Sequence, residues 1–231
     1  MQAALSATEQ PCRKGLLALG DSITVGEGSM ALGITPLSWA QWLAKALDLA
    51  YTSYAFNGAC TADVLHEQLS RVRFAYDVAT LYAGVNDVRS PAFDAAGYER
   101  DLDAAAAGLA ARSACLLMVT LPEDLGRPTA APKPVAANEA VRRVAARHGA
   151  VIADLADFGG WTHVQPAVVH PTPLGQVELA DRAARALGCA MVPSELIRDR
   201  RGHDVRYVPA HARAVARNLA RRARERVIPP G

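Results

Sequence analysis

Residues Leu16-Leu17-Ala18-Leu19-Gly20-Asp21-Ser22-Ile23-Thr24-Val25-Gly26 decide how the chain is read. Four apolar residues in a row, with no polar alternation, predict a strand buried on both faces, as in a parallel sheet. The run then breaks on glycine, presents Asp21 and Ser22, and resumes near two more glycines, Gly26 and Gly28. A sharp turn at a strand end puts its residues on the rim of the sheet, where ligands of open α/β sheets bind. Two roles suit Ser22 there. Asp and Ser are favoured helix caps; a serine is also a nucleophile if a base and oxyanion donors come from elsewhere in the chain.

Outward from this stretch, strands and helices alternate. Strands are expected at 14–19, 50–56, 78–83, 115–121 and 151–153. Helices are expected at 39–47, capped by Ser38, from Thr61 onward, and at 93–112, 136–147 and 174–187. Asn57-Gly58-Ala59-Cys60 reads as a turn, the stretch with Pro128, Pro132 and Pro134 as a loop, and 26–36 and 158–173 as irregular. Five such alternations mean βαβ units, hence a three-layer α/β/α fold around a five-stranded parallel sheet. Neither GxxxxGK[ST] nor GxGxxG follows the first strand, which disfavours a nucleotide site.

Composition narrows the function classes. The 231 residues are 51% hydrophobic, enough for one good-sized core or one domain plus a tail, and the net charge of +2 implies no nucleic-acid partner. No stretch is long and apolar enough for stable membrane insertion. Met1 to Pro11 lacks a charged start followed by an apolar core, so no secretory leader is expected. Cys12, Cys60, Cys115 and Cys189 are scattered with no CxxC spacing, which suits free thiols in a reducing cytoplasm and indicates no metal site.

Four chemistry-bearing residues fall at strand ends or in late loops: Ser22, Gly58, Asn86 and His170. In a parallel sheet such positions converge on one rim. Ser22 can attack, and Gly58 can offer a bare backbone N–H. Asn86 can donate amide hydrogens to an oxyanion. His170 can take the serine proton. Singly, each reads as a turn or surface residue; together their placement points to an active site.

With these residues in view, the chain resembles the GDSL, or SGNH, hydrolase family. Gly20-Asp21-Ser22-Ile23 is similar to its nucleophile block and Gly58 to its glycine block. Gly84-Val85-Asn86-Asp87 is similar to its asparagine block, and His170-Pro171 with Gly175 to its histidine block. The resemblance covers roughly the first 190 residues. It implies a flavodoxin-like α/β/α domain over 1–192, no metal or cofactor, and hydrolysis of small acyl esters or thioesters through an acyl-serine. It assigns the oxyanion hole to the Ser22 N–H, the Gly58 N–H and the Asn86 side chain. An acyltransferase of the same fold and a non-catalytic ligand-binding protein are the alternative classes.

The chain departs from the family at one place. An aspartate usually stands three residues before the histidine and orients it; here that residue is Ala167. Asp154 and Asp157 are the nearest upstream carboxylates. A Ser–His dyad is therefore expected, with a main-chain carbonyl near 165–168 holding the other imidazole nitrogen. His163 is a second, weaker candidate base because it lacks the following Pro-x-x-x-Gly.

Residues 193–231 form an extension with 10 arginines, no lysine and 4 acids. Ala212, Val215, Ala216, Leu219, Ala220 and Ala223 make an apolar stripe beside Arg213, Arg217, Arg221 and Arg224. This predicts a basic amphipathic helix, a pattern that can mark a membrane surface, a nucleic acid or a protein partner, and that equally suits a helix docked on the enzyme with its arginines in water.

Overall fold

The structure is a computed structural model, and it describes residues 14–27, 33–125, 132–165, 169–197, 199, 201, 205, 208–213, 216 and 220. Five strands, β1 (Leu16–Gly20), β2 (Tyr51–Ser53), β3 (Tyr76–Tyr82), β4 (Ser113–Val119) and β5 (Val151–Ala153), pair in the order β2-β1-β3-β4-β5. Every pairing is parallel. Leu16, Leu17, Ala18 and Leu19 are completely buried, as the unbroken apolar run requires of a strand flanked on both sides.

The helices are α1 (Ser22–Val25), α2 (Trp39–Ala46), α3 (Thr61–Asp63), α4 (Val85–Arg89), α5 (Ala95–Ala110), α6 (Lys133–His148) and α7 (Pro173–Ala186). α2 packs on α7, and α5 on α6, giving the two outer layers. Ser38 caps α2 as expected: its hydroxyl accepts from Gln41 N while the Gln41 side chain accepts from Ser38 N. Trp39, Trp42 and Leu43 are thereby turned into the core.

Several elements differ from the sequence expectation. Short helices α1 and α4 occupy stretches expected to be turns, since four or five residues carry no readable period. α6 begins at Lys133, before the expected start, because Pro134 sits in its first turn, where a missing N–H costs nothing. The helix expected from Thr61 is not uniform. α3 passes into a π-helical turn, Val64–Gln68, and then a 3₁₀ turn, Leu69–Arg71. Residues 208–213 are helical, but most of the basic stripe expected from 212 to 224 lies outside the described residues, as does the 28–32 part of the glycine-rich stretch.

The loop before α7 is folded against that helix. Val164 and Pro171 form an antiparallel bridge, and Thr172 N donates to the His163 carbonyl at 2.8 Å. Thr172 then caps α7, its hydroxyl accepting from Gly175 N at 3.0 Å. A Cβ at Gly175 would lie 1.9 Å from the His163 carbonyl oxygen, so only glycine lets the loop sit this close to the helix. Gly175→Ala should destabilise the protein by about 1–3 kcal/mol, the usual cost of overpacking against backbone. Urea unfolding measures it, and an unchanged midpoint would mean that the loop does not rest on α7.

Candidate active site

The sheet order changes direction between β1 and β3, the switch point at which a crevice opens beyond the carboxyl ends of the strands. Ser22 follows β1 and Asn86 follows β3, so both stand at this crevice.

β1 ends at Gly20, whose backbone is clamped by one side chain. Gln68 Oε1 accepts from Gly20 N at 2.9 Å, and Gln68 Nε2 donates to the Gly20 carbonyl at 2.8 Å. Gln68 is completely buried at the end of the π turn. Asp21 Oδ1 then accepts from Ile23 N at 2.9 Å and caps α1, which makes Ser22 its first residue. Cap and exposed-turn readings of the Asp-Ser pair therefore meet in one geometry. Gln176 of α7 holds the far end of this turn: its Nε2 donates to the Ile23 carbonyl and its Oε1 accepts from Trp39 N.

Ser22 Oγ lies 2.9 Å from His170 Nε2. The serine is only 8% exposed, less than a free strand-end hydroxyl would be, because the imidazole and its own helical turn cover it. As a first-turn residue Ser22 has a backbone N–H with no helical acceptor, and none is found among the described residues. Gly58 is exposed with φ +82°, a left-handed conformation that favours glycine, and a Cβ there would meet nothing within 4 Å. Asn86 Nδ2 donates to the Ala59 carbonyl at 3.0 Å. That bond uses one of its two amide hydrogens and fixes the side chain beside the Gly58 turn. Asp87 accepts from Thr61 N and Oγ1, which fastens the start of α4 to the start of α3.

The two upstream carboxylates are not brought to His170. Asp154 accepts from Thr120 Oγ1, Ala156 N and Arg142. Asp157 is paired with Arg182, whose guanidinium holds its carboxyl below the usual range. His163 is also elsewhere: its Nδ1 is 3.2 Å from the Gly159 carbonyl and its ring stacks on Phe158. It lines a cavity of about 300 Å³ with Thr162, Leu174, Val177 and Glu178, which includes neither Ser22 nor His170. Ser194 and Asp181 line it too, but among the described residues no hydroxyl is hydrogen-bonded to His163, so the cavity holds no paired nucleophile and base. No described group accepts from His170 Nδ1, and residues 166–168, where a carbonyl acceptor is expected, lie outside the described residues. Glu27, which no sequence pattern marks, lies beside the ring: its Oε2 is 3.6 Å from Nε2.

A buried acid, Asp21, and a half-buried one, Asp87, stand at the ends of the two site-bearing strands. Burial, reinforced by the charge of Asp87, raises the Asp21 carboxyl to about 7, and its Oδ2 has no partner among the described residues. Burial raises Asp87 as well. Burial and then the charges of Asp87, Asp63 and Asp21 push the Cys60 thiol up, which keeps it from competing as a thiolate nucleophile. Among the described residues no group of three or more His, Cys, Asp or Glu is arranged to hold a metal ion, and no helix is long and apolar enough to cross a membrane.

The model of the GDSL-like Lipase/Acylhydrolase family matches residues 18–177. No curated protein sequence matches the chain. Among solved structures, the chain is similar to LAE5, an alpha/beta hydrolase enzyme from the metagenome of Lake Arreo, Spain. The identity is 20% and the TM-score 0.64, over 78% of this chain and 97% of that one. It is similar to a member of the lipolytic G-D-S-L family from Veillonella parvula at 18% identity and TM-score 0.60, covering 76% and 98% of the two chains. It is also similar to Axe2, an acetylxylan esterase from Geobacillus stearothermophilus, at 18% identity and TM-score 0.57, covering 77% and 97%. At these identities the likeness establishes the fold.

The raised Asp21 carboxyl has a consequence for stability. Its folded value, about 7, exceeds the ordinary carboxyl value of 3.8, so the folded state holds this proton more tightly. Stability from this group is therefore present at low pH and is lost as pH rises from about 4 to about 7, by about 4 kcal/mol for a shift of roughly three units. Asp21→Asn keeps an oxygen for the Ile23 cap and removes the titration. The variant should gain stability over the parent progressively across that window and hold the gain above it. Denaturant melts at several pH values measure this, and parallel curves would contradict it.

Proposed function

The chain belongs to the GDSL-like lipase/acylhydrolase family, a class of ester hydrolases, and we propose that it cleaves small acyl esters through an acyl-Ser22 intermediate, using Ser22 and His170 as a dyad. The observation that carries this reading is the 2.9 Å contact between Ser22 Oγ and His170 Nε2 at the switch-point crevice. In the first step the Ser22 hydroxyl loses its proton to Nε2 as Oγ bonds the ester carbonyl carbon. The oxyanion that forms is stabilised by the backbone N–H groups of Ser22 and Gly58 and by the second amide hydrogen of Asn86. The imidazolium returns the proton to the leaving alcohol as the C–O bond breaks. Water, deprotonated by the same nitrogen, then releases the acid. The acetylxylan esterase among the structural neighbours suggests short-chain acetate esters as first substrates.

No carboxylate from the strand-five end takes part in this scheme. Ser22→Ala and His170→Ala should each lose nearly all turnover of an aryl acetate, while Asp154→Asn and Asp157→Asn should keep most of it. Collapse of kcat in either amide variant, with folding intact, would reveal a third member and contradict the dyad.

Asn86→Ala should lower kcat by about 10²–10³, as loss of one oxyanion donor does elsewhere. Steady-state kinetics with a thermal melt as the folding control test this. An unchanged kcat with a raised KM would mean that Asn86 binds substrate without stabilising the transition state.

A further inference from the structure

Among the described residues His170 Nε2 has two polar neighbours: Ser22 Oγ at 2.9 Å and Glu27 Oε2 at 3.6 Å. Glu27 is delivered by the nucleophile's own turn, which closes with Gly26 N and Glu27 N donating to the Ser22 carbonyl at 3.1 and 2.9 Å. Nucleophile and carboxylate thus ride on one short hydrogen-bonded segment. The Glu27 side chain is 47% exposed and the imidazole 22%. The other ionisable candidates for the site are engaged elsewhere. Asp21, in the fully buried layer under Ser22, caps Ile23 N. His163, on the same loop as His170, is held by Gly159 and Phe158. Asp154 and Asp157 are paired with Arg142 and Arg182. Among the described residues Glu27 is the one carboxylate paired with His170.

We propose that Glu27 is the charge partner of His170, a positioning residue that supplies, from the Nε2 side, the negative charge missing at Ala167. The inference rests on the acyl-serine reading above. A carboxylate only accepts, so it offers nothing to a neutral ring whose Nε2 lone pair faces the serine proton. It attracts the imidazolium. Its effect therefore appears as the Oγ–H bond breaks, Nε2–H forms and Oγ bonds the acyl carbon. It persists until that proton passes to the leaving oxygen and the ester C–O bond breaks. An interaction stronger in the transition state than in the ground state acts on kcat. At this distance and this exposure the pair is screened nearly as in water, which sets the contribution at about fivefold in rate.

The test compares the parent with Glu27→Gln and Glu27→Asp. Two readouts are taken: kcat and KM on a neutral aryl acetate at low and high salt, and the rate at which a neutral fluorophosphonate modifies Ser22, followed by intact mass. Glu27→Gln should lower kcat about fivefold at low salt with KM little changed. That deficit should shrink at about 1 M salt, where charges are screened within about 3 Å. Glu27→Asp should fall between the other two, and the fluorophosphonate rates should follow the same order. A Gln variant with parental kcat, a deficit confined to KM, or a deficit indifferent to salt would overturn the assignment. The two readings fail differently. If the parent neither turns over ester nor reacts with the fluorophosphonate, the acyl-serine reading fails and this one with it. If the parent reacts and the Gln variant reacts equally fast, only the role of Glu27 is refuted.

Discussion

The constraint on which the site depends is that β1 must leave the sheet without abandoning its backbone hydrogen bonds. Gly20 sits in the buried interior, where an unmade N–H or C=O bond costs about 1–3 kcal/mol. The Gln68 amide satisfies both groups at once, because a carboxamide presents one acceptor and one donor side by side. Gln176 does the corresponding work at the Ile23 carbonyl and joins it to the start of α2. Between these two clamps the chain turns into α1, and Ser22 takes its position from the pair. The clamps reach back to the elements carrying the rest of the site. Gln68 lies on the segment that follows the Gly58 turn, and Gln176 on the helix that follows His170.

The same burial sets the electrostatics. Asp21 caps α1 from inside the core, so its charge is costly and its carboxyl holds a proton to about pH 7. Asp87 ties the Asn86 turn to Thr61, and burial, with the charges of Asp87, Asp63 and Asp21, raises the thiol of Cys60. Around His170 the pattern reverses. The ring is only partly covered, and Glu27, the carboxylate beside it among the described residues, is half in water. Charge there is screened, so Glu27 can assist the imidazolium without locking it.

Much of the fold was legible in the chain, for reasons that particular residues make clear. Leu16 to Leu19 read as a buried parallel strand, and they are one. Strand-end polar residues read as converging on a rim, and Ser22, Asn86 and the Gly58 turn stand there, with His170 against the serine. What escaped had no period to carry it. α1 and α4 are too short for a helical repeat, and Glu27 sits in a glycine-rich stretch with no pattern. A glutamine on an amphipathic helix reads as solvent-facing. Gln68 falls four residues after buried Val64, on the inward face, and its amide is satisfied there by the Gly20 backbone, a partner that no residue type announces. Asp154 and Asp157 were plausible by nearness in sequence alone, but in space Thr120, Arg142 and Arg182 engage them.

In the proposed mechanism everything turns on Ser22 carrying the acyl group. Rapid-quench intact mass spectrometry of the protein mixed with an activated aryl ester, followed by peptide mapping, addresses it directly. The expected result is a transient adduct of one acyl group, located on the peptide containing Ser22, that decays as acid appears. Turnover with no covalent adduct, or an adduct on Cys60 in place of Ser22, would contradict it.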